Sequence, residues 1–411
     1  MSSIRDISLA PVGQQKMEWA WQYMKILQSI QKEAEKEKPL DGLTLTVAIH
    51  IEAKTANLCR VLRSAGAEVI LTGCNPLSTQ DEVVAALVAD GFEVFAWRGA
   101  TAEEYEMHIE QALSYRPHVI IDDGGDLVAM LHGNRPDLAA RVIGGCEETT
   151  TGVMRLRIRE REGTLAFPMY AVNDARCKHL FDNRHGTGQS VWDAIMRNTN
   201  MIIAGKNVVV AGYGMCGRGV AQKARGLGAR VFICEVDPVR ALEAAMDGFF
   251  AVSMDEAAGV GDIFITATGC KDIIRKEHLM KMKDGVLLCN AGHFDVEINK
   301  PDLYALSKEV VKRRPNIEGF VLHDGRVLNL IGEGRLVNLA AGDGHPIEIM
   351  DMSFALQTLC AIDMAENGKG YAKKVLSVPA EMDTKVARLA LSAMGGSVDK
   401  LSPEQEKYMG K

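Results

Sequence analysis

Short apolar runs alternate with longer segments of helical periodicity through the first third of the chain. LTVAIHI (from Leu43-Thr44 onward), EVILTG, EVFAW and HVIIDDGG read as buried strands. Between them, AKTANLCRVLRSAGA reads as a helix ending near Gly66, and DEVVAALVADG as a helix opened by a capping box of Ser78 and Asp81. EEYEMHIEQALSY carries the same signature in Thr101 and Glu104. This alternation predicts a parallel sheet covered on both faces. A second series starts near residue 206: NVVVAG, a helix, ARVFICEV, PVRALEAAMDG, DIFITATG and VLLCNAG predict another doubly wound sheet. Residues 150–200 read as polar and punctuated, with HGTGQS as the breaker. After about residue 345 the pattern turns helical (EIMDMSFALQTLCAIDMA), and LSPEQEKYMGK reads as a terminal helix.

The predicted fold class is therefore α/β, with two doubly wound parallel-sheet domains and a short helical C-terminal segment. The boundaries are residues 1–185 with 346–390 for a substrate domain, 186–345 for a dinucleotide domain and 391–411 for the tail. A length of 411 residues suits two or three domains, and 47% hydrophobic with 25% charged residues is ordinary for a globular protein. A net charge of −7 without a dense basic block excludes a protein that coats nucleic-acid phosphates. No run of 18 apolar residues predicts a membrane span, and MSSIRDISLAPVGQQ lacks a signal-peptide pattern. Nine cysteines without clustered spacing predict reduced thiols, a cytoplasmic location and no metal ligand set.

VVVAGYGMCGRGVAQ places Gly212, Gly214 and Gly217 in GxGxxG spacing between an apolar strand and a helix. The glycines let backbone approach a pyrophosphate at the helix N-terminus. Glu235 ends the next strand, where a carboxylate accepts from the adenosine ribose of NAD and repels the extra phosphate of NADP. The predicted cofactor is NAD.

Polar strings stand at other strand ends and breaks: His50, CNPLSTQD, DDGGD, EETTTG, NDARCKHLFDN and NAGHFDVEI. With AGYGMCGRG, GEGRLVNL and GHP, and in this order from about residue 6 onward, they closely resemble the S-adenosylhomocysteine hydrolase family. The resemblance implies hydrolysis of an S-nucleosyl-L-homocysteine to homocysteine and the nucleoside. Tightly held NAD oxidises the 3′-hydroxyl, the acidified C4′ proton is removed, homocysteine leaves by β-elimination, water adds and the ketone is reduced.

The same resemblance assigns roles. Lys178 is the base at the 3′-hydroxyl, a task that calls for a lowered pKa, and Asp182, four residues on, orients it. Glu148 binds the 2′-hydroxyl; Asp123 and His50 handle the protons at C4′ and on the leaving sulfur, and His293 the 5′ water. Asn173 and Asn338 orient ribose and nicotinamide, while Thr149, Thr150, Thr151 and Asn183 serve ribose and cofactor. Phe354 and His345-Pro346 resemble a gate over the substrate channel, with hinges at HGTG and AGDGHP. A homotetramer is expected from the family.

Three departures stand out. The animal members carry a cysteine where Thr187 stands, and a longer Lys/Tyr-bearing tail where this chain has Tyr408-Met409-Gly410-Lys411. They also carry a threonine at Glu52 and a carboxylate at Lys54, in the base-reading segment that includes Thr55. Ionised Glu52 only accepts and Lys54 only donates, a pair matched to the N1–H donor and O6 acceptor of hypoxanthine. Inosine is therefore the expected nucleoside, unless Lys54 lies on a solvated helix face or pairs with Asp343. An ordinary NAD-dependent dehydrogenase and a non-catalytic NAD-binding regulator stay open as alternatives.

Overall fold

The computed structural model describes residues 2–410, so Met1 and Lys411, the outer limits of the predicted first domain and tail, lie outside the described residues. The first sheet uses β1 (Thr44–Ala48), β2 (Glu68–Thr72), β3 (Glu93–Phe95), β4 (Val119–Asp122), β5 (Gly144–Glu147) and β6 (Met169–Ala171). The second uses β7 (Asn207–Ala211), β8 (Arg230–Cys234), β9 (Phe250–Ala251), β10 (Ile263–Thr266), β11 (Leu287–Asn290), β12 (Ser307–Arg314), β13 (Ile317–Leu322) and β14 (Val327–Ile331). A last strand, β15 (Val375–Leu376), returns to the first sheet and pairs in parallel with β6.

The first sheet is wholly parallel, in the order β15-β6-β5-β4-β1-β2-β3. Its direction of winding reverses between β1 and β4, which opens a crevice beyond their carboxyl ends. The second sheet runs β12-β13-β14-β11-β10-β7-β8-β9, and reverses between β10 and β7. Both series end in apolar strands buried on both faces, Val47 and Ile121 in one core and Val210 and Ile265 in the other. The antiparallel β12–β13–β14 edge was not anticipated: VVKRR and EGFVLHDG alternate weakly and sit at a half-exposed sheet margin. Among the described residues no helix is long and apolar enough to cross a membrane.

Two local readings fail for identifiable reasons. The helix Asp81–Ala89 has Gln80 at its N-cap and no side-chain cap, because Ser78 is drawn away to His50 and Asp81 accepts from the Arg98 N–H. The 150–200 stretch is helical rather than broken: Thr150–Arg161, a wide turn over Lys178–Gly186, and Thr187–Thr199 directly after it. HGTGQS lies inside that helical run. A side chain on Gly186 would lie 2.8 Å from the His345 ring, and one on Gly188 2.7 Å from the backbone of Gly219. These glycines serve close packing, not a hinge. The long helix Ile347–Asn367 packs on the first sheet, and the helix Ala380–Ala393 follows it. The capping box of Thr101 and Glu104 is present as expected.

Candidate active site

The two crevices open into one cavity of about 1000 Å³, bounded by His50, Asp123, Lys178, Gly214, Glu235 and His293 among others. Four groups meet at the carboxyl ends of β1, β2, β4 and β11. The Nδ1 of His50 lies 2.6 Å from the Ser78 hydroxyl, which donates its own proton to the Asn75 carbonyl at 2.9 Å. With that proton committed, Nδ1 must be the donor, so Nε2 keeps a lone pair. It faces Asp123 Oδ2 at 3.5 Å. Burial pushes the His50 pKa down to about 4, against the pull of Asp123, so the ring is neutral at pH 7. Cys74 Sγ lies 3.7 Å from the same carboxylate oxygen. The second sheet contributes His293, whose Nδ1 is 3.9 Å from Asp123 Oδ1.

A second cluster lies along the wide turn. There the helix takes π-type hydrogen bonding, which brings residues five apart onto one side as well as residues four apart. The Lys178 ammonium is therefore 3.1 Å from Asp182 and donates to Asn183 Oδ1 at 2.9 Å, while Glu148 from the end of β5 stands 3.3 Å away. Burial alone would lower the lysine pKa. Asp182 and Glu148 together outweigh it, so Lys178 is raised above its ordinary value, opposite to the expectation of a lowered one. Burial also lifts Glu148 to about 7, partly restrained by Lys178. Asp182 is held below the usual carboxylate range: burial opposes ionisation, but Lys178, His345 and Ser353 overcome it. His345 bridges the cluster, with Nδ1 2.6 Å from Asp182 and Nε2 3.3 Å from the Thr187 hydroxyl.

Supporting side chains escaped the sequence reading. Ser353 donates to Asp182 at 2.5 Å and Gln357 to Glu148 at 2.6 Å, both from the helix Ile347–Asn367. Their signal was available, as two polar residues four apart in the apolar run MSFALQTLCAI. Asp383 gave none. Its two carboxylate oxygens accept from the Arg176 and Cys177 N–H groups at 2.7 and 2.8 Å, capping the turn that carries Lys178 from 206 residues away in sequence.

At the glycine-rich turn, Gly212 has φ +96°, and a Cβ on Gly217 would lie 1.9 Å from the Gly212 carbonyl oxygen. Gly214, at the N-cap of the helix Met215–Gly226, faces open space save for an Arg240 nitrogen 3.9 Å away. Glu235 accepts from the N–H groups of Tyr213, Val236 and Asp237, which fixes its carboxylate at the cavity wall. Asn338 Oδ1 is buried without a hydrogen-bond partner, while its amide donates to Ser190. An open glycine corner, a fixed carboxylate and a free buried acceptor fit a nicotinamide dinucleotide. Thr149, Thr150 and Thr151 line the cavity, and Asn173 stands behind Asn183, accepting from it at 3.1 Å.

The base-side residues differ from expectation. Glu52 caps the helix Ala53–Ser64, accepting from the Lys54 and Thr55 N–H groups, and lines the cavity with Thr55. Lys54 is 5% exposed, not solvated. Its ammonium lies 2.9 Å from Glu52 and donates to the Asp343 carbonyl at 2.7 Å, behind the cavity wall. The Asp343 carboxylate pairs instead with Arg197 at the surface. Phe354 is fully buried in the wall, packed in the first core rather than standing at the channel mouth as a gate.

Comparison with known proteins agrees with this geometry. Residues 1–140 match the family model described as S-adenosyl-L-homocysteine hydrolase, and residues 183–344 match its NAD binding domain. An S-inosyl-L-homocysteine hydrolase from Methanococcus maripaludis is 56% identical, over 100% of this chain and 98% of its own. One from Methanopyrus kandleri is also 56% identical, over 99% and 96%. An adenosylhomocysteinase from Thermococcus kodakarensis is 55% identical, over 99% and 96%. The chain belongs to the S-adenosyl-L-homocysteine hydrolase family, and is an NAD-using hydrolase built on two α/β sheets.

Proposed function

We propose that the protein hydrolyses S-inosyl-L-homocysteine, reversibly, to inosine and L-homocysteine. The observation that carries this reading is the convergence, in one cavity, of the His50–Asp123–His293 group with the Lys178–Asp182–Glu148 cluster beside the dinucleotide turn. When bound, NAD supplies the reversible oxidation of the nucleoside 3′-hydroxyl, which acidifies the proton on C4′. Glu148 and Asp182 hold the ribose hydroxyls. Lys178 passes one proton to Glu148, whose pKa of about 7 makes it an acceptor at neutral pH. The neutral amine then takes the 3′-hydroxyl proton, and a cationic ring nearby favours that neutral form. At the other end, the Nε2 lone pair of His50 and the Asp123 carboxylate move the C4′ proton and the proton on the departing sulfur. His293, opposite them, orients the 5′ water.

Overall identity does not choose the base, since relatives of both names stand at nearly equal distance. Support for inosine comes from Glu52 on the wall and from the buried Lys54 cation behind it, which favour a base offering a donor at N1 and an acceptor at C6. The test is steady-state synthesis from homocysteine with inosine or adenosine. Wild type should favour inosine in kcat/KM, and Lys54→Met should narrow the ratio. A higher kcat/KM for adenosine in wild type would overturn the base assignment. We read residues 1–185 with 346–390 as the substrate lobe and 186–345 as the dinucleotide lobe. The assembly is proposed as a homotetramer, supported by exposed Val239, Leu242 and Met246 along one helix face; light scattering of the holoenzyme checks it.

A further inference from the structure

The meeting point of His50, Cys74 and Asp123 is built from acceptors. Nε2 of His50 presents a lone pair because Ser78 fixes the other tautomer nitrogen as donor, and the Asp123 carboxylate adds lone pairs 3.5 Å away. Cys74 Sγ faces the same carboxylate at 3.7 Å. All three side chains are buried, and one ligand atom from each lies within 4.8 Å of the others. The positions are spread over 74 residues of sequence, so no local spacing announced them. A tetrahedral zinc with N and O ligands near 2.0 Å and sulfur near 2.3 Å holds its donor atoms about 3.3–3.6 Å apart. The observed separations match without rearrangement. The Ser78 contact is also the outer-shell hydrogen bond that orients metal-bound imidazoles.

We propose that His50, Cys74 and Asp123 form a binding site for a thiophilic divalent cation such as zinc. His293, 3.9 Å from the other Asp123 oxygen, or the sulfur of homocysteine supplies the fourth ligand. The imidazole binds as it stands, the carboxylate binds ionised, and the Cys74 thiol releases its proton to solvent as the metal–sulfur bond forms. Hard cations such as magnesium, which select oxygen donors and keep their waters, do not fit this set. The cation occupies the groups that would move the C4′ and sulfur protons, so its binding switches turnover off. That inhibitory consequence rests on the proposed function; the binding itself does not.

The experiment titrates the NAD-loaded protein with cobalt(II), following the thiolate-to-metal and tetrahedral visible absorption. Cys270→Ser is the background, because Cys270 is the exposed thiol. The bands should appear in wild type and Cys270→Ser, vanish in Cys74→Ser, and be displaced by zinc. In parallel, zinc should inhibit turnover reversibly, with relief by a chelator. The zinc concentration needed should rise in Cys74→Ser by at least the ~10–100-fold that loss of an outer-shell partner costs. Ser78→Ala should weaken cobalt binding by that same ~10–100-fold without touching a ligand. Absence of the bands from wild type, or an unchanged titration in both Cys74→Ser and Ser78→Ala, overturns the site. Bands without zinc inhibition would keep the metal site and refute the reading of His50 and Asp123 in turnover.

Discussion

Replacing Lys178 by Met removes the ammonium that stands between two buried carboxylates, Glu148 and Asp182, and so changes how stability depends on pH. Glu148 titrates near 4.5 in an unfolded chain and near 7 in the fold, lifted by burial and restrained by Lys178. A carboxyl whose folded pKa is raised contributes stability that is complete below about pH 4.5 and lost as pH rises to about 7. At about 1.4 kcal/mol per pH unit, wild type loses roughly 3 kcal/mol there through this group. Above pH 7 its contribution is level. Without the ammonium, Glu148 stays protonated to higher pH, and the folded variant binds more protons than its unfolded state. Its stability should then keep falling, by about 1.4 kcal/mol per unit between pH 7 and 9. Asp182 loses the same partner and can only steepen that slope. Asp122 and Glu147 also carry raised pKa values, but they titrate in both proteins and cancel in the difference. The assay is urea unfolding of both proteins at pH 6, 7, 8 and 9. Turnover should fall by about 10²–10⁴-fold. Parallel stability curves with retained turnover would refute both the buried cluster and the role of Lys178.

Other substitutions probe separate parts of the site. Glu235→Ala should weaken NAD binding and relax rejection of NADP in calorimetric titration; an unchanged preference would place its carboxylate away from the ribose. Gly217→Ala puts a methyl 1.9 Å from the Gly212 carbonyl oxygen and should cost about 1–3 kcal/mol along with most NAD affinity, whereas Gly226→Ala, which meets open space, should cost neither. His50 is held neutral with a pKa of about 4 by burial, so stability present above pH 6.5 is lost as pH falls toward 4; His50→Gln should flatten wild type's roughly 3 kcal/mol decline across that window. Asp383→Asn should cost about 1 kcal/mol through the lost cap and lower kcat far more than it changes KM, and an intact kcat would make the cap purely structural.

The parallel strands were legible because burial on both faces leaves unbroken apolar runs such as VVVAG and VIID. Lys178, Asp182 and His50 were legible only through resemblance, since a single charge at a strand end has no local signature. Glu52 shows the limit from the other side. Its carboxylate was read as a base contact, yet much of it is engaged in capping a helix, a competing use that depends on backbone geometry. HGTG misled because glycine signals both freedom and contact, and only the partner, here Gly219 and His345, tells which. The raised pKa of Lys178 could not be inferred from sequence. It depends on Glu148, thirty residues earlier, arriving from another strand.

The return of the chain to its first sheet sets an order of events during synthesis. β15 and the helix Ile347–Asn367 emerge only after the whole second sheet has been made. Until then β6 is a bare edge, Asp182 and Glu148 lack Ser353 and Gln357, and the turn bearing Lys178 has no cap. The nucleotide-binding half is complete within one continuous stretch, and can close on the ribosome while the catalytic wall is unfinished. A nascent chain halted at residue 345 should therefore protect β7–β11 from protease and leave the Lys178 turn open to cleavage.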